Sequence, residues 1–316
     1  SCKSKLKASM KALVKNRNSV QVVNTAAPKI TREDDVLLQV ALAGLCRTDI
    51  YAATGKLKVK DPLVLGHELA GVVEAVGPSV EGIKPGMRVT IDPVLRCRQC
   101  HRCKHDLSCT NSGFVGLDAD GGFAEQAVVP AYAVLPLDDS LSFLHAAYCE
   151  PVAASLAVLK SGIAPAQKGA IIGKNRFSEL LQLILDAYGF PTLPVFDLND
   201  AVHKAELAAL ESQLDYVIET YASSAVLAAM SKAIKPGGTM VLKSRQYEPL
   251  QFRLIDFLKK EPVMHVVNYG DFPEALSLLV SGRIKIDNLI DDVYALSNFE
   301  KVFERAQDSE AKKPFF

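Results

Sequence analysis

Four cysteines fall within one short stretch of the chain, "CRQCHRCKHDLSC". They are spaced C-x2-C-x2-C-x5-C and comprise Cys97, Cys100, Cys103 and Cys109. Four thiolates on one loop can complete a tetrahedral shell around zinc, and a complete shell leaves no coordination position for a substrate. The spacing therefore predicts a structural zinc site, with His101 and His105 as bystanders rather than ligands.

A second set of possible metal ligands is dispersed along the chain. It contains Cys46 in "GLCRTDIY", His67 and Glu68 in "LGHELAGVV", and Glu150 beside Cys149 in "YCEPVAASL". Catalytic zinc sites use about three protein ligands and keep one position open. Any one of these residues alone would more commonly be structural, and spacing alone does not establish that they converge.

A third stretch, "AIIGKNRFSELLQLIL" at residues 170–185, is typical of a strand, a turn and a helix. Dinucleotide-binding turns carry G-x-G-x-x-G, in which the second glycine admits the pyrophosphate and the third allows close packing. Here the turn is Gly173-Lys174-Asn175-Arg176-Phe177-Ser178, with only the first glycine present. Asn175 can adopt a left-handed conformation, but its Cβ would crowd a phosphate.

Other residues of this turn keep a nucleotide site open as a hypothesis. Ser178 could cap a helix opening at Glu179, and Lys174 and Arg176 are either solvated loop charges or phosphate contacts. Asp197 ends the next strand 24 residues after Gly173, where an acid would hydrogen-bond the adenosine ribose of NAD. We therefore expect NAD rather than NADP, bound weakly at the pyrophosphate and in an altered pose, although either cation could accommodate a 2′-phosphate.

The elements around these motifs change character near residue 155. Before it, β-branched runs at 36–44, 69–77 and 88–94 alternate with glycine and proline, which predicts a largely β domain. After it, strands alternate with helices, which is typical of a parallel doubly wound sheet. The predicted strands are 169–173, 194–198, 214–220 and 236–244, and the predicted helices are 178–188, 201–212 and 223–235.

Composition excludes several classes of function. The 316 residues include 36 basic and 36 acidic side chains, so no net charge steers the chain to nucleic acid or to an anionic membrane. No apolar run reaches the roughly 18–20 residues of a membrane span. Residues 1–9 lack the apolar region of a secretory signal, and we expect them to stand outside the fold, because "MKALV" at Met10 resembles a natural start. Clustered thiols of this kind are ligands in a reducing compartment, so we expect a cytoplasmic protein.

Several motifs, in the same order along the chain, resemble the zinc-type medium-chain dehydrogenase/reductase superfamily, which includes alcohol, sorbitol and threonine dehydrogenases. They are Cys46-Arg47-Thr48-Asp49, Gly66-His67-Glu68, the four-cysteine loop, "GGFAE" at 121–125 and Glu150-Pro151. The resemblance runs from about Met10 to the end of the chain. It implies an α/β protein with a GroES-like, mostly-β catalytic domain (10–154 and 269–316) and a Rossmann nucleotide-binding domain (155–268).

The same resemblance implies a role for each dispersed residue. Cys46 and His67 would hold a catalytic zinc, with Glu68 beside the metal as an exchangeable ligand. The third ligand would come from the Glu150 segment, and Glu150 is favoured over Cys149 because Glu150-Pro151 resembles the polyol-type branch.

The remaining implied roles concern proton transfer, orientation and the cofactor. Thr48 would accept the proton of the substrate hydroxyl, Asp49 would orient His67, and Arg47 would join the cofactor-binding residues.

Three departures from the family are visible. The last cysteine spacing is x5 where the family usually has x7, and Tyr51 stands where relay enzymes often carry histidine. Between "VFDLND" and "LDYVIET" only one helix-length segment is present, where relatives fit an additional strand and helix. We therefore expect a trimmed Rossmann domain of about five strands.

The resemblance as a whole implies a zinc-dependent oxidoreductase. It would transfer a hydride between NAD(P) and a secondary alcohol or ketone, such as a polyol, a cyclitol or an amino alcohol, with two zinc ions per chain. By analogy with the family we expect a homodimer or homotetramer, and no nucleic-acid or membrane partner. The alternatives are a specialised biosynthetic reductase and a non-catalytic, zinc-stabilised binding protein with a vestigial nucleotide site.

Overall fold

The computed structural model describes residues 8–17, 19–105, 107–308 and 311–316. Residues 1–7, which are most of the segment that precedes Met10, lie outside the described residues. The strands are β1 Ser9–Asn16, β2 Ser19–Ala26, β3 Asp35–Gly44, β4 Leu63–Val64, β5 Glu68–Val76, β6 Arg88–Ile91, β7 Val94–Leu95, β8 Gly113–Phe114, β9 Gln126–Pro130, β10 Val134–Pro136, β11 Gly169–Ile172, β12 Val195–Phe196, β13 Leu214–Glu219, β14 Ile234–Leu242, β15 Val263–Val266, β16 Ile290–Val293 and β17 Lys313–Phe315.

The helices are mostly short in the first half of the chain and longer in the second. The α-helices are α1 Arg47–Ala53, α2 His101–Lys104, α3 Phe143–Ala147, α4 Cys149–Leu156, α5 Arg176–Ala187, α6 Ala201–Ala208, α7 Ser224–Ala233, α8 Leu254–Leu258, α9 Phe272–Val280 and α10 Phe299–Arg305. Single 3-10 turns occupy Ala131–Ala133, Ala157–Ser161, Asp287–Leu289 and Leu296–Asn298. No helix in the described residues has both the length and the apolar content that a membrane span requires.

The chain divides into two compact units. The first comprises Ser1–Glu150, Ile290–Gln307 and Lys313–Phe316, and the second comprises Pro151–Leu289 and Asp308–Lys312. We expected the first unit to resume at residue 269, whereas residues 269–289 lie in the second. Two hydrogen bonds hold the start of this stretch there: Lys160 Nζ donates to the Tyr269 carbonyl at 2.6 Å, and the Gly270 amide donates to the Ala153 carbonyl at 2.7 Å.

The first unit is built on a mixed sheet with a long central strand. Within the described residues the order is β10-β6-β5-β3-β17-β16, with β9 also pairing with β3. A smaller sheet, β2-β1-β4, and the pair β7-β8 complete the unit. Its core is made of aliphatic side chains of the inner strands, including Leu38, Leu69 and Val89, together with Phe303 of α10. The predicted strands 36–44 and 69–77 correspond to β3 and β5, whereas 88–94 is interrupted between β6 and β7.

The second unit is a doubly wound sheet of five parallel strands in the order β12-β11-β13-β14-β15. β11 is buried at every residue because both faces of the sheet are covered. Ala170 and Ile172 pack with Leu207 of α6 and Met230 of α7, while Ile171 packs on the opposite face with α5. The fold class and the trimmed five-stranded sheet are confirmed, with the reversal of strand order between β11 and β13.

Candidate functional site

One buried carboxylate connects the two loops that carry Cys46 and His67. Cys46 lies between β3 and α1, and its backbone N–H donates to Asp49 Oδ2 at 2.9 Å. The Gly66 amide donates to the other oxygen, Asp49 Oδ1, at 3.1 Å. Asp49 is fully buried. It therefore fixes the start of α1 against the turn before His67. Cys46 and His67, about twenty residues apart in sequence, are thereby brought into one site.

Two glycines leave room for this arrangement. Gly66 has φ +97°, and a Cβ there would lie 2.8 Å from atoms of Phe123. Gly44 pairs with Glu68 across β3 and β5, and a Cβ on Gly44 would lie 2.6 Å from Glu68 Oε2. A side chain at either position would displace a ligand-bearing segment, so the close packing of this site requires glycine at both positions.

Three candidate ligands converge in the first unit. The ligand atoms of Cys46, His67 and Glu68 all lie within 4.8 Å of one another. His67 is completely buried, and neither ring nitrogen has a hydrogen-bond partner of good geometry among the described residues. Nδ1 lies 3.3 Å from Asp49 Oδ1, so we treat that approach as a charge contact. Thiolate, imidazole and carboxylate are zinc's usual ligands, and the unsatisfied imidazole fits such an ion.

The fourth residue of the predicted set lies at the edge of this cluster. Glu150, in the first turn of α4, is buried, and its Oε1 lies 4.0 Å from His67 Nε2. Its neighbour Cys149 is fully buried among the core residues. Thr48 is also buried, with Oγ1 accepting a 3.5 Å hydrogen bond from the Cys46 thiol, and Arg47 is half-buried at the first position of α1.

Neighbouring charges control the ionisation of the cluster. Burial alone would raise the pKa of the Cys46 thiol, but the charges of His67 and Lys313 lower that pKa to about 6. Burial would lower the pKa of His67, yet the charges of Asp49 and Cys46 raise it. Burial, helped by the charges of Cys46 and Glu150, raises the pKa of Glu68 to about 8 against the attraction of Lys313. Several acidic groups thus share one small volume, where a divalent cation would stabilise their ionised forms.

Lys313 is the main site residue that sequence reasoning missed. It lies in β17, is 1% exposed, and its Nζ donates to Glu68 Oε2 and, at 3.2 Å, to the Leu45 carbonyl. The same ammonium lies 5.7 Å from the centre of the Tyr148 ring. Its surroundings in "AKKPFF" carry no recognisable ligand pattern. Its role becomes visible only in the folded chain, through its burial and its hydrogen bond to Glu68.

The four-cysteine loop forms a separate cluster. The Sγ atoms of Cys97 and Cys109 are 3.4 Å apart, and the pairs Cys97–Cys103 and Cys100–Cys109 are each 4.0 Å apart. These separations exceed the roughly 2 Å of a disulfide and are near the roughly 3.8 Å expected between thiolates of a zinc tetrahedron. All four sulfurs lie within 4.8 Å of one another, without His101 or His105.

Backbone amides prepare two of these sulfurs, those of Cys100 and Cys109, for negative charge. The amides of Cys97 and Asn111 donate to Cys109 Sγ at 3.4 and 3.3 Å, and the Cys103 amide donates to Cys100 Sγ at 3.4 Å. Hydrogen bonds from the Thr110 and Cys103 amides lower the pKa of Cys100 to about 5. The loop therefore fits a closed zinc shell.

The phosphate turn, residues 173–178 in the second unit, is bonded within itself. Asn175, not Ser178, caps the helix, so α5 begins at Arg176 rather than near Glu179. The Asn175 side-chain oxygen accepts from the amides of Phe177 at 2.8 Å and Ser178 at 3.2 Å. These are amides that a glycine-rich turn would offer to a pyrophosphate, so as it stands the turn does not fit that group in the usual pose.

The other predicted cofactor residues are distributed around this turn. Gly173 has φ +109°, and a Cβ there would lie 2.4 Å from Thr220 Oγ1. Arg176 donates to the Ala311 carbonyl at 3.1 Å, and Lys174 is exposed. Asp197 directly follows β12 and accepts from the Asn199 amide at 2.8 Å.

Known proteins resemble the chain over nearly its full length. The Alcohol dehydrogenase GroES-like domain family matches residues 32–139. D-xylulose reductase A of Aspergillus oryzae (strain ATCC 42149 / RIB 40) is 26% identical over 326 residues, covering 92% of this chain and 91% of that protein. Sorbitol dehydrogenase of Bacillus subtilis (strain 168) is 27% identical over 328 residues, covering 93% and 92%. A zinc-binding dehydrogenase structure from Sinorhizobium meliloti 1021, bound to NADP, aligns with a TM-score of 0.84 and 26% identity over 98% of this chain and 99% of that one.

Proposed function

Because this chain belongs to the zinc-type medium-chain dehydrogenase/reductase superfamily, we propose that it is a polyol oxidoreductase that uses zinc and a nicotinamide cofactor. It would transfer a hydride between the cofactor and the secondary alcohol or ketone carbon of a polyol. The observation that carries the proposal is the convergence of Cys46, His67 and Glu68, in which the buried His67 imidazole has no hydrogen-bond partner of good geometry among the described residues. The substrate class is supported by the relatives named for D-xylulose and sorbitol.

The metal would be held by this chain's own buried ligands. Cys46 and His67 would bind it, Glu150 would supply the third ligand in preference to Cys149, and Glu68 would stand beside it. Bound zinc would supply Lewis acidity, which favours ionisation of an alcohol near neutral pH. The buried Asp49 carboxylate would keep His67 oriented and favour its metal-binding tautomer.

Proton transfer would fall to Thr48. Its hydroxyl is buried beside the Cys46 sulfur, with 3.5 Å between Oγ1 and Sγ. An alcohol bound next to that sulfur could pass its proton to Thr48, which suits general acid–base work by a positioned hydroxyl. Tyr51, in place of the relay histidine, leaves the proton to continue through water or another group.

The cofactor preference rests on one acid. Asp197 directly follows β12, the strand beside β11, and is half-buried. An acid at this place would accept hydrogen bonds from the adenosine ribose and repel a 2′-phosphate, which supports NAD over NADP. Gly173 and Arg47 complete the residues we assign to the cofactor. The four-cysteine loop would hold the second, structural zinc.

A second copy of the chain is the partner that the free sheet edge favours. β15 ends the five-stranded sheet, and no strand of the described residues pairs with its outer side. Val263, Met264 and Val266 of this strand are exposed. An exposed apolar edge strand is a template for pairing, and we infer a homodimer that joins two such edges.

Metal analysis and a cofactor-linked assay test the proposal together. We expect two zinc ions per chain, reduction of D-xylulose with NADH, and oxidation of sorbitol with NAD⁺, each followed at 340 nm. Cys46→Ser should remove one zinc and the activity, while Cys149→Ser should retain both. A protein that holds two zinc ions but turns over neither substrate with NAD(H) or NADP(H) would sink the assignment.

A further inference from the structure

The phosphate turn contains a built-in competitor for the cofactor. We propose that Asn175 occupies the anion position of this turn and sets the chain's affinity for the dinucleotide, an inference that rests on the proposed function. The residue thus determines the affinity of the turn for a pyrophosphate.

The side chain of Asn175 imitates a phosphate oxygen. Its Oδ1 accepts hydrogen bonds from two amides in the first turn of α5, those of Phe177 at 2.8 Å and Ser178 at 3.2 Å. An anion bound at a helix N-terminus would accept hydrogen bonds from amides of the same turn. A pyrophosphate therefore has to displace the carboxamide before it can use these donors.

Further hydrogen bonds hold Asn175 in place. Ser178 Oγ accepts from the Asn175 amide at 3.0 Å and donates to the Asn175 carbonyl at 2.6 Å. Asn175 Nδ2 donates to Thr220 Oγ1 at 3.0 Å. Thr220 directly follows β13, so this last bond joins the carboxyl ends of β11 and β13. Strand order reverses between those two strands, and open parallel sheets bind their ligands at that point.

One of the two nearby cations is also engaged. The Arg176 guanidinium donates to the Ala311 carbonyl at 3.1 Å. Lys174 is exposed, and its charge contributes to a lowered pKa of Asp200, behind the amides of His203 and Val202. Lys174 is therefore the exposed cation of the turn that can contact a phosphate while Asn175 holds the amides. If Asn175 moved away, a dinucleotide would gain hydrogen bonds from the amides of Phe177 and Ser178.

Removing the side chain should open the turn without unfolding it. Glycine at an N-cap position costs little helix stability compared with asparagine, and it also removes the Cβ that crowds a phosphate. Aspartate has the opposite effect, because a carboxylate caps the same amides and repels a phosphate. Asn175→Gly and Asn175→Asp therefore shift dinucleotide affinity in opposite directions.

Titration of NADH and NADPH, followed by their own fluorescence, tests this pair of variants against the wild type. We expect the Kd of the tighter dinucleotide to fall about tenfold in Asn175→Gly and to rise about tenfold in Asn175→Asp. ADP, titrated by calorimetry, should show the same order, since it carries a pyrophosphate without the nicotinamide. Amide exchange at Phe177 and Ser178 should be faster in Asn175→Gly than in the wild type, because these amides lose their acceptor.

Asp271→Gly is the matched control. Asp271 caps α9 through the Glu274 amide, so this variant loses a helix cap away from the phosphate turn and should keep the wild-type Kd. Equal dinucleotide binding by wild type and Asn175→Gly overturns the inference and leaves the proposed function standing. Absence of binding in all variants overturns both. If Asn175→Gly does not fold, Asn175→Asp decides, and unchanged or tighter binding by it overturns the inference.

Discussion

Glu68 and Lys313 form a buried ion pair between residues 245 positions apart in the chain. Each side chain is 1% exposed. Burial of a carboxylate is costly unless it is paired and hydrogen-bonded, and two other acidic groups, Cys46 and Glu150, surround this one. Lys313 therefore limits the rise in the pKa of Glu68 and donates a hydrogen bond to it, which holds this carboxyl group close to Cys46 and His67.

Replacing Lys313 tests that role directly. Lys313→Met leaves the Glu68 carboxylate buried without its counter-charge, and we expect a loss of about 3–5 kcal/mol in the free energy of unfolding. Urea denaturation of the full chain measures it. Lys312→Met, at an exposed neighbouring position, should change stability by less than about 0.5 kcal/mol.

The double variant Glu68→Gln/Lys313→Met separates charge from packing. Because it removes both members of the pair, it should recover most of the lost stability. If Lys313→Met is as stable as the wild type, the ion pair does not hold this part of the first unit.

Glu150 and Cys149 can be distinguished by their metal retention. Glu150 Oε1 lies 4.0 Å from His67 Nε2, whereas Cys149 belongs to the apolar core. We expect Glu150→Gln to weaken zinc binding at the Cys46 site at least about tenfold, and Cys149→Ala to keep both zinc ions. Dialysis against a chelator, followed by elemental analysis, gives the comparison. Retained zinc in Glu150→Gln with loss in Cys149→Ala would reverse the ligand assignment.

At the residue scale, the sequence was sufficient to predict the site residues that belong to short local motifs. Cys46, His67 and Glu68 belong to short motifs, and the structure brings their ligand atoms together. Lys313 belongs to none, since its partner is fixed by the pairing of β17 with β3. The capping role of Asn175 does have a local signal, because an N-cap residue followed three positions later by the polar Ser178 resembles a capping box.

At the scale of elements, the four-cysteine loop contains little regular secondary structure, so its conformation depends on contacts made by its sulfurs. Among the described residues of this region, only the single turn α2 and the pair β7-β8 have regular secondary structure. Amide donors to Cys100 and Cys109 make thiolate charge favourable, but four sulfurs within 4.8 Å need a cation to share it.

Cys100→Ser should therefore remove one zinc per chain and destabilise the first unit. We expect a fall in Tm of at least about 5 °C, measured by calorimetry of the zinc-loaded protein. His101→Ala, in the same loop but outside the sulfur cluster, should keep two zinc ions and the wild-type Tm. If Cys100→Ser lost the zinc of the Cys46 site instead, the structural assignment of the loop would fail.

Element bounds were predicted less well at the sheet edge. The predicted strand 194–198 is only Val195–Phe196 in β12, because β12 pairs with β11 alone among the described strands. The predicted helix at 178–188 starts at Arg176, since Asn175 supplies a cap. Hydrophobic periodicity and composition identify an element, whereas its ends depend on capping residues and on strand pairing with distant parts of the chain.

At the scale of the whole chain, length counting was enough to predict the trimmed sheet. A single helix-length segment between β12 and β13 leaves no room for another strand and helix, and five strands are observed. Counting segment lengths does not predict which unit residues 269–289 join. Residues 269–289 form an amphipathic helix and a turn that could pack on either unit, and hydrogen bonds to Ala153 and Lys160 settle the outcome.

The free edge of the sheet should determine the oligomeric state. Val266 in β15 is 82% exposed, and a lysine there would place a charge in the interface we propose between two β15 strands. We expect the wild type to be a dimer at micromolar concentration by light scattering after size exclusion, and Val266→Lys to be a monomer. Val202→Lys, on α6 and also well exposed, adds the same charge away from this edge and should remain dimeric. A monomeric wild type, or a dimer that survives Val266→Lys, would remove β15 as the interface, because an edge strand cannot pair closely around an unpaired buried lysine.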